Sequence, residues 1–302
     1  MSRVLLLGSG GQVGGALLRL LAPAHQVAAP SSEELDLGQA QRLRAYVREH
    51  APALIVNAAA YTGVDRAEGE PERARVINEE APAVLAEEAA RLGSCLIHYS
   101  TDYVFDGRAR TPYGEGDAPH PLGVYGRTKL AGDQAIMASD ASYLIFRTAW
   151  LYGLRGHNFL LTMQRLLTER EEVGVVGDQV GAPTWCEVVA RATTEILAQG
   201  DGDPAGFIGA RRGLYNLACT GQTSWCGFAQ AIRAELARRG AGPLAQIKEL
   251  RTEEYPTPAR RPAYSVLDTR KVIETFALTL PDWRSALRQA LERWRPGVPV
   301  AR

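Results

Sequence analysis

The sequence predicts an α/β fold, a doubly wound parallel sheet with a second, smaller α/β domain. Three observations carry this. Short apolar runs recur through the first half of the chain, separated by amphipathic helical stretches. That alternation is the pattern of parallel strands covered on both faces. A glycine-rich turn follows the first run directly, and after about residue 150 the rhythm loosens.

Residues 3–7 read as a strand, 12–21 as a helix, 25–29 as a second strand and 38–50 as a second helix. A third strand spans 53–57, and one long Ala/Glu-rich helical stretch runs to about 92. A fourth strand at 95–99, a helix containing Tyr125 and a fifth strand at 143–147 complete the first half. Beyond it, helices are expected at 158–170, 187–199, 224–239 and 281–294, with a strand at 214–218 and Pro-rich turns at 256–262. The dinucleotide-binding domain is drawn as 1–151 plus a return segment of about 187–218. The second domain is drawn as 152–186 plus 219–302.

Composition narrows the function. The 302 residues include 46% hydrophobic residues, enough for a large core, and 34 acids against 34 bases. A net charge of zero and the absence of any basic block argue against nucleic acid or an anionic membrane as partner. The apolar start Val4-Leu5-Leu6-Leu7 is too short for a span or a secretory core and runs straight into glycines. Cys95, Cys186, Cys219 and Cys226 form no Cys-x-x-Cys, and His25, His50, His98, His120 and His157 have no ligand spacing. The thiols are read as reduced, in a cytoplasmic protein. The histidines are read as ordinary surface or core residues, with no metal site.

Four motifs carry chemistry. The turn Gly8-Ser9-Gly10-Gly11-Gln12-Val13-Gly14 lies between a strand and a helix. Such a turn brings backbone close to a pyrophosphate at a helix N-terminus, which marks a Rossmann-type dinucleotide site. At the end of the second strand, where an acid would select NADH, the chain reads Ala29-Pro30-Ser31-Ser32. No carboxylate repels a 2′-phosphate there and Ser31 offers a hydroxyl, so NADPH, or dual use with NADH, is expected. Asp36 reads either as an adenine-side contact or as an N-cap. The small residues of Asn57-Ala-Ala-Ala60-Tyr61-Thr62 would let a cofactor pack against backbone.

Tyr125 and Lys129 stand four apart on one helix face, a phenol beside an ammonium. The positive charge is expected to lower the phenol's pKa. Only three lysines occur in the chain (Lys129, Lys248 and Lys271), so their pairing is not a product of lysine abundance. Thr101, at the C-terminal end of the fourth strand, can supply a hydrogen-bonding hydroxyl.

Together these motifs resemble the short-chain dehydrogenase/reductase superfamily, extended type. Finer matches at 11–14, 57–62, 100–107, 124–132, 147–153, 178–184 and 255–262 make the whole chain similar to the dTDP-4-dehydrorhamnose reductase family. The resemblance implies NAD(P)H-dependent reduction of the C4 ketone of dTDP-4-dehydro-6-deoxy-L-mannose. It implies Tyr125 as proton donor, with Thr101 and Lys129 assisting. Gly8, Gly11, Gln12, Val13, Gly14, Ser31, Asp36, Leu37, Ala60, Tyr61, Thr62, Tyr99, Tyr125 and Lys129 would hold the cofactor. Thr101, Asp102, Trp150, Asn158 and Arg260, with Arg261 beside it, would hold the nucleotide sugar.

Some relatives use an acid in the first helix for a metal-bridged dimer. Gly15–Leu21 has none, so no Mg²⁺ is implied there, and the chain is expected as monomer or homodimer. Two other readings share the scaffold. One is an epimerase or dehydratase retaining NAD⁺. The other is a non-catalytic NADP-binding regulatory subunit like the methionine adenosyltransferase β subunit. The joint presence of hydroxyl, tyrosine and lysine favours the reductase.

Overall fold

The computed structural model describes residues 2–200 and 202–294. The first half runs β1 (Arg3–Leu7), α1 (Gln12–Leu21), β2 (Gln26–Ala28), α2 (Ala40–His50), β3 (Leu54–Asn57), α3 (Val64–Gly69) and α4 (Pro71–Arg75). A π-helical turn, Val76–Glu80, leads into α5 (Ala81–Leu92), β4 (Cys95–Thr101), α6 (Val124–Met137) and β5 (Ser142–Thr148). Then come β6 (Leu151–Tyr152), α7 (Phe159–Glu169), β7 (Glu172–Val176), β8 (Val180–Gly181), β9 (Thr184–Trp185), α8 (Cys186–Gln199) and α9 (Pro204–Ala210). The chain closes with β10 (Gly213–Asn216), β11 (Thr223–Ser224), α10 (Trp225–Arg238), β12 (Gln246–Leu250), α11 (Arg270–Phe276) and α12 (Trp283–Arg293).

Six strands form one sheet in the order β10-β5-β4-β3-β1-β2, every pair parallel. Period-two alternation splits their side chains between two cores. Val4, Leu6, Val56, Ile97 and Phe146 face α1 and α8, while Leu5, Leu7, Ile55, Leu96 and Ile145 face α2, α5 and α6. Residues of β3 and β4 are buried on both faces, as helices on both sides require. Charge helps to seat α5 on α2. The buried Glu88 receives Arg48 through two bonds of 2.8 and 2.6 Å and Arg44 at 3.2 Å.

The chain order reverses about β1: β2 lies on one side of it and β3 on the other. At that switch point the C-terminal ends of β1 and β3 open a crevice, the usual ligand position in such sheets. After β5 the chain leaves the sheet and returns as β10, beside β5.

Two expectations are corrected. The single helix running to residue 92 is instead α3, α4, the π turn and α5, because Pro71 begins a new helix after the non-helical Glu70. In the second half, three small two-stranded pairings, β7–β12, β8–β11 and β6–β9, were not visible from pattern. Most of these strands have only two residues, too few to show a period.

Candidate active site

The glycine loop shapes the crevice. Gly8 has φ of +79°, and the Gly11 N–H donates to the Gly8 carbonyl at 2.9 Å. A Cβ on Gly8 would stand 2.6 Å from the Ala59 nitrogen, and one on Gly14 would stand 2.1 Å from the Gly8 carbonyl oxygen. The loop thus packs backbone to backbone against the end of β3 and against its own helix. Two cavities open over it, of about 850 and 670 Å³. Both are lined by Gly8, Gly10, Gly11, Ala59 and Ala60, so they form one groove across the switch point. Pro30, Ser32, Asp36, Leu37, Tyr61 and Arg73 line the far end of the larger cavity. Gln12, Val13, Thr62, Thr101, Asp102, Tyr125 and Trp150 line the smaller one.

Two side chains outside the groove fix its walls. Glu68 Oε1 accepts the Val124 N–H at 2.8 Å, holding the first turn of the helix that carries Tyr125. Asn78, in the π turn, accepts the Tyr61 N–H at 2.9 Å and donates to the Tyr61 carbonyl at 3.1 Å and the Thr128 hydroxyl at 3.2 Å.

The electrostatics depart from the spacing argument. Burial pushes the Tyr125 phenol up to about 12; the neighbouring Thr101 hydroxyl acts in the opposite direction. The expected lowering by Lys129 is corrected for a physical reason. Lys129 is buried beneath the groove, where its Nζ donates to the Tyr99 carbonyl at 2.7 Å and lies 3.0 Å from His98 Nε2. Desolvation draws the ammonium itself down to about 8. Asp102 is buried and pushed up to about 7 by desolvation, opposed by bonds from Ser265 and Thr101. Its Oδ2 has no partner among the described residues, which suits it to a polar ligand.

The structure brings most of the expected site together but redirects several members. Ser31 does not line the groove: it closes a local turn, with its N–H on Glu34 Oε2 at 2.7 Å and its Oγ accepting the Glu34 N–H at 3.2 Å. Ser32 takes the groove position instead. The Tyr99 side chain turns into the core, hydroxyl to Thr193 at 2.8 Å, and only its carbonyl serves the site. Asn158 caps α7, accepting the Leu161 N–H at 3.1 Å, while its amide donates to Gln12, Gly153 and Arg155. Arg260 is exposed away from both cavities, and Arg261 pairs with Asp65 at 2.8 Å. Asp36 lines the groove with one carboxylate oxygen on the Gly38 N–H at 2.9 Å; it is not the cap of α2. Gly14 acts by packing.

Sequence reasoning missed Arg73, Arg155, His157 and Trp225, which also line the groove. Trp225 stands far along the chain and no local motif announces it. His98 is a buried core residue, with its ring 3.0 Å from Lys129 Nζ. Among the described residues no helix is long and apolar enough to cross a membrane.

Comparison with known proteins fits this geometry. A family model described as RmlD substrate binding domain matches residues 2–295. The chain is 46% identical over 289 residues to a dTDP-4-dehydrorhamnose reductase of Burkholderia thailandensis, covering 94% of this chain and 96% of that protein. It is 44% identical over 294 residues to the Escherichia coli protein of that name, covering 95% and 96%. A crystal structure of dTDP-4-dehydrorhamnose reductase from Bacillus anthracis in complex with NADP superposes with a TM-score of 0.88 at 32% identity. It covers 98% of this chain and 100% of that one. A Thermus thermophilus UDP-glucose 4-epimerase with NAD shares the fold, with a TM-score of 0.79 at 18% identity over 98% of this chain and 100% of that one.

Proposed function

Because the chain belongs to the RmlD substrate binding domain family, we propose that it reduces the C4 ketone of dTDP-4-dehydro-6-deoxy-L-mannose to give dTDP-L-rhamnose. It is an NAD(P)H-dependent oxidoreductase, in keeping with its relatives. The observation that carries the reading is the meeting of Thr101, Asp102 and Tyr125 with the glycine loop in one cavity.

The groove suits a dinucleotide. Gly8, Gly11, Gln12 and Val13 offer backbone and a helix N-terminus to a pyrophosphate, in a loop whose Gly8 lies too close to the Ala58–Ala59 backbone for a Cβ. Ser32, Asp36, Leu37 and Arg73 take the adenosine end, and Ala60, Tyr61 and Thr62 the wall beyond it. Bound there, the reduced nicotinamide supplies the hydride.

The protein's own groups handle the charge that develops at the ketone oxygen. Tyr125 delivers a proton to that oxygen and Thr101 donates a hydrogen bond to it, so no free alkoxide forms. A phenol pushed up by burial is protonated throughout the neutral range, the state a donor needs. Lys129 ties the helix that carries Tyr125 to β4 through the Tyr99 carbonyl. Asp102, with an oxygen lacking a partner, accepts a sugar hydroxyl, and Trp150 forms the wall behind the sugar. In this reading residues 1–151 with about 187–218 carry the cofactor and 152–186 with 219–302 the nucleotide sugar. Of these, Met1, Asp201 and 295–302 lie outside the described residues.

The test supplies the dTDP-4-ketosugar with NADH and with NADPH separately and follows nicotinamide absorbance. Oxidation in either reaction is the expected result. No oxidation with either cofactor overturns the reading.

A further inference from the structure

We propose that Thr148 binds the carboxamide of the nicotinamide and so fixes the ring that hands over the hydride. The proposal rests on the reading of the groove as a dinucleotide site. It gives a role to a residue that none of the motifs above assigns.

Thr148 ends β5 and is only 5% exposed. Its register partner is Thr101, the last residue of β4. Register partners on neighbouring strands point to the same face of a sheet, and side chains alternate along each strand. Thr148 therefore shares a face with Phe146, as Thr101 does with Ile97 and Tyr99. That face is the one covered by α1 and α8. The Thr148 hydroxyl is buried and has no hydrogen-bond partner among the described residues, yet the residue lines the smaller cavity beside Thr101 and Tyr125. A buried polar group without a protein partner calls for one from a ligand.

Strand order points to the ligand. Along the sheet the strands run β5-β4-β3-β1-β2. Pro30 and Ser32, just beyond β2, line the larger cavity, and the glycine loop after β1 lines both. A dinucleotide with its pyrophosphate on that loop and its adenosine toward β2 has its nicotinamide toward β4 and β5. Thr148 stands at the far end of that path, on the α1 side of the sheet. Asp102 is the other residue of this cavity with an unpartnered buried oxygen. It bonds to Ser265, which lies outside the six-stranded sheet, so it serves the sugar and leaves Thr148 to the cofactor.

A threonine suits a carboxamide because one hydroxyl both donates and accepts. It can meet the amide at its carbonyl or at its NH₂. Holding that substituent fixes the rotation of the pyridine ring about its bond to ribose, and with it the face that is turned to the ketone.

The test is a calorimetric titration without ketosugar, so it is independent of whether the ketosugar is turned over. Two probes are used: NADPH, and 2′-phosphoadenosine 5′-diphosphoribose, which lacks only the nicotinamide. Thr148→Val keeps the shape of the side chain and removes the hydroxyl. Its Kd for NADPH is expected to rise about tenfold, with its Kd for the truncated probe unchanged. Thr148→Ala repeats the prediction with a smaller side chain, and Thr148→Ser, which retains the hydroxyl, keeps the parent's affinity for NADPH. Parental NADPH affinity in the valine and alanine variants overturns the proposal. So does an equal loss for both probes, which marks a purely structural role. A rise confined to KM for the ketosugar also overturns it and gives the hydroxyl to the sugar.

Discussion

The indole rings of Trp150 and Trp225 lie 3.5 Å apart and within 2° of parallel. Trp150 holds this stack from a left-handed backbone, φ +47°, which a bulky residue adopts only where its surroundings enforce it. Trp225 also faces a second pocket of about 380 Å³, lined by Phe159, Met163, Arg170 and Arg261, so the stack forms the wall between that pocket and the groove. Trp225→Ala is expected to raise KM for the nucleotide sugar roughly tenfold and leave KM for NADPH unchanged. Steady-state kinetics with each substrate varied in turn checks this; an unchanged sugar KM removes the stack from the site.

Tyr125→Phe keeps the ring and its T-shaped contact with Tyr103, whose centroid is 5.8 Å away, and loses only the hydroxyl. Turnover is expected to fall by about 10²–10⁴ while NADPH still binds. Fluorescence titration with NADPH beside a turnover assay checks both halves. Near-parental turnover would show that another group delivers the proton.

Asp102 makes both stability and rate depend on pH. Its folded pKa, about 7, lies above the ordinary carboxylate value of 3.8. Between those values the folded chain keeps a proton that the unfolded chain has released, so its contribution to stability falls as pH rises through the window. Asp102→Asn should therefore melt higher than the parent near pH 8, by roughly 2–4 °C, with the difference shrinking toward about pH 4. The same change should remove the rise in rate between about pH 6 and 8 that the ionised acceptor provides. Melting curves and pH–rate profiles read the two effects. A parent whose stability is flat across the window contradicts the assignment.

Arg73 lines the larger cavity, where the second strand supplies no acid, at the end proposed for the adenosine. Arg73→Ala is expected to raise KM for NADPH about tenfold and KM for NADH far less, since only NADPH carries a phosphate for the guanidinium to grip. Parallel kinetics with the two cofactors decide it. Equal losses would place Arg73 outside phosphate recognition.

Gly14→Ala adds a methyl where the Gly8 carbonyl oxygen is only 2.1 Å away. The loop and helix must part, at a cost of about 1–3 kcal/mol. Denaturant unfolding should show this loss together with weaker NADPH binding. A variant with parental stability would mean that the loop yields freely.

Features with a local physical signature were legible from the chain alone. Gly8 to Gly14 announce themselves because only glycine permits that turn and close approach, and Tyr125 and Lys129 because helical spacing puts them on one face. What spacing could not supply was the partner of each polar atom. Lys129 lies near Tyr125 along the helix, but its Nζ bonds to Tyr99 and His98 on a strand 30 and 31 residues earlier. Ser31 and Asn158 carry groups suited to a ligand, yet a turn and a helix end take them first; an asparagine just before an apolar helical run is itself a cap signal. Trp225 and Arg73 reach the groove only through tertiary packing, which no window of sequence contains.

Asn78 bonds both to Tyr61, on one wall of the groove, and to Thr128, on the helix that carries Tyr125. One amide thus sets the spacing between those two walls. An inserted or deleted residue in the π turn would shift both walls at once, so this turn is a place where length, more than residue identity, is under constraint. The exposed stretch at 110–112 is where descendants of this chain are free to vary in length.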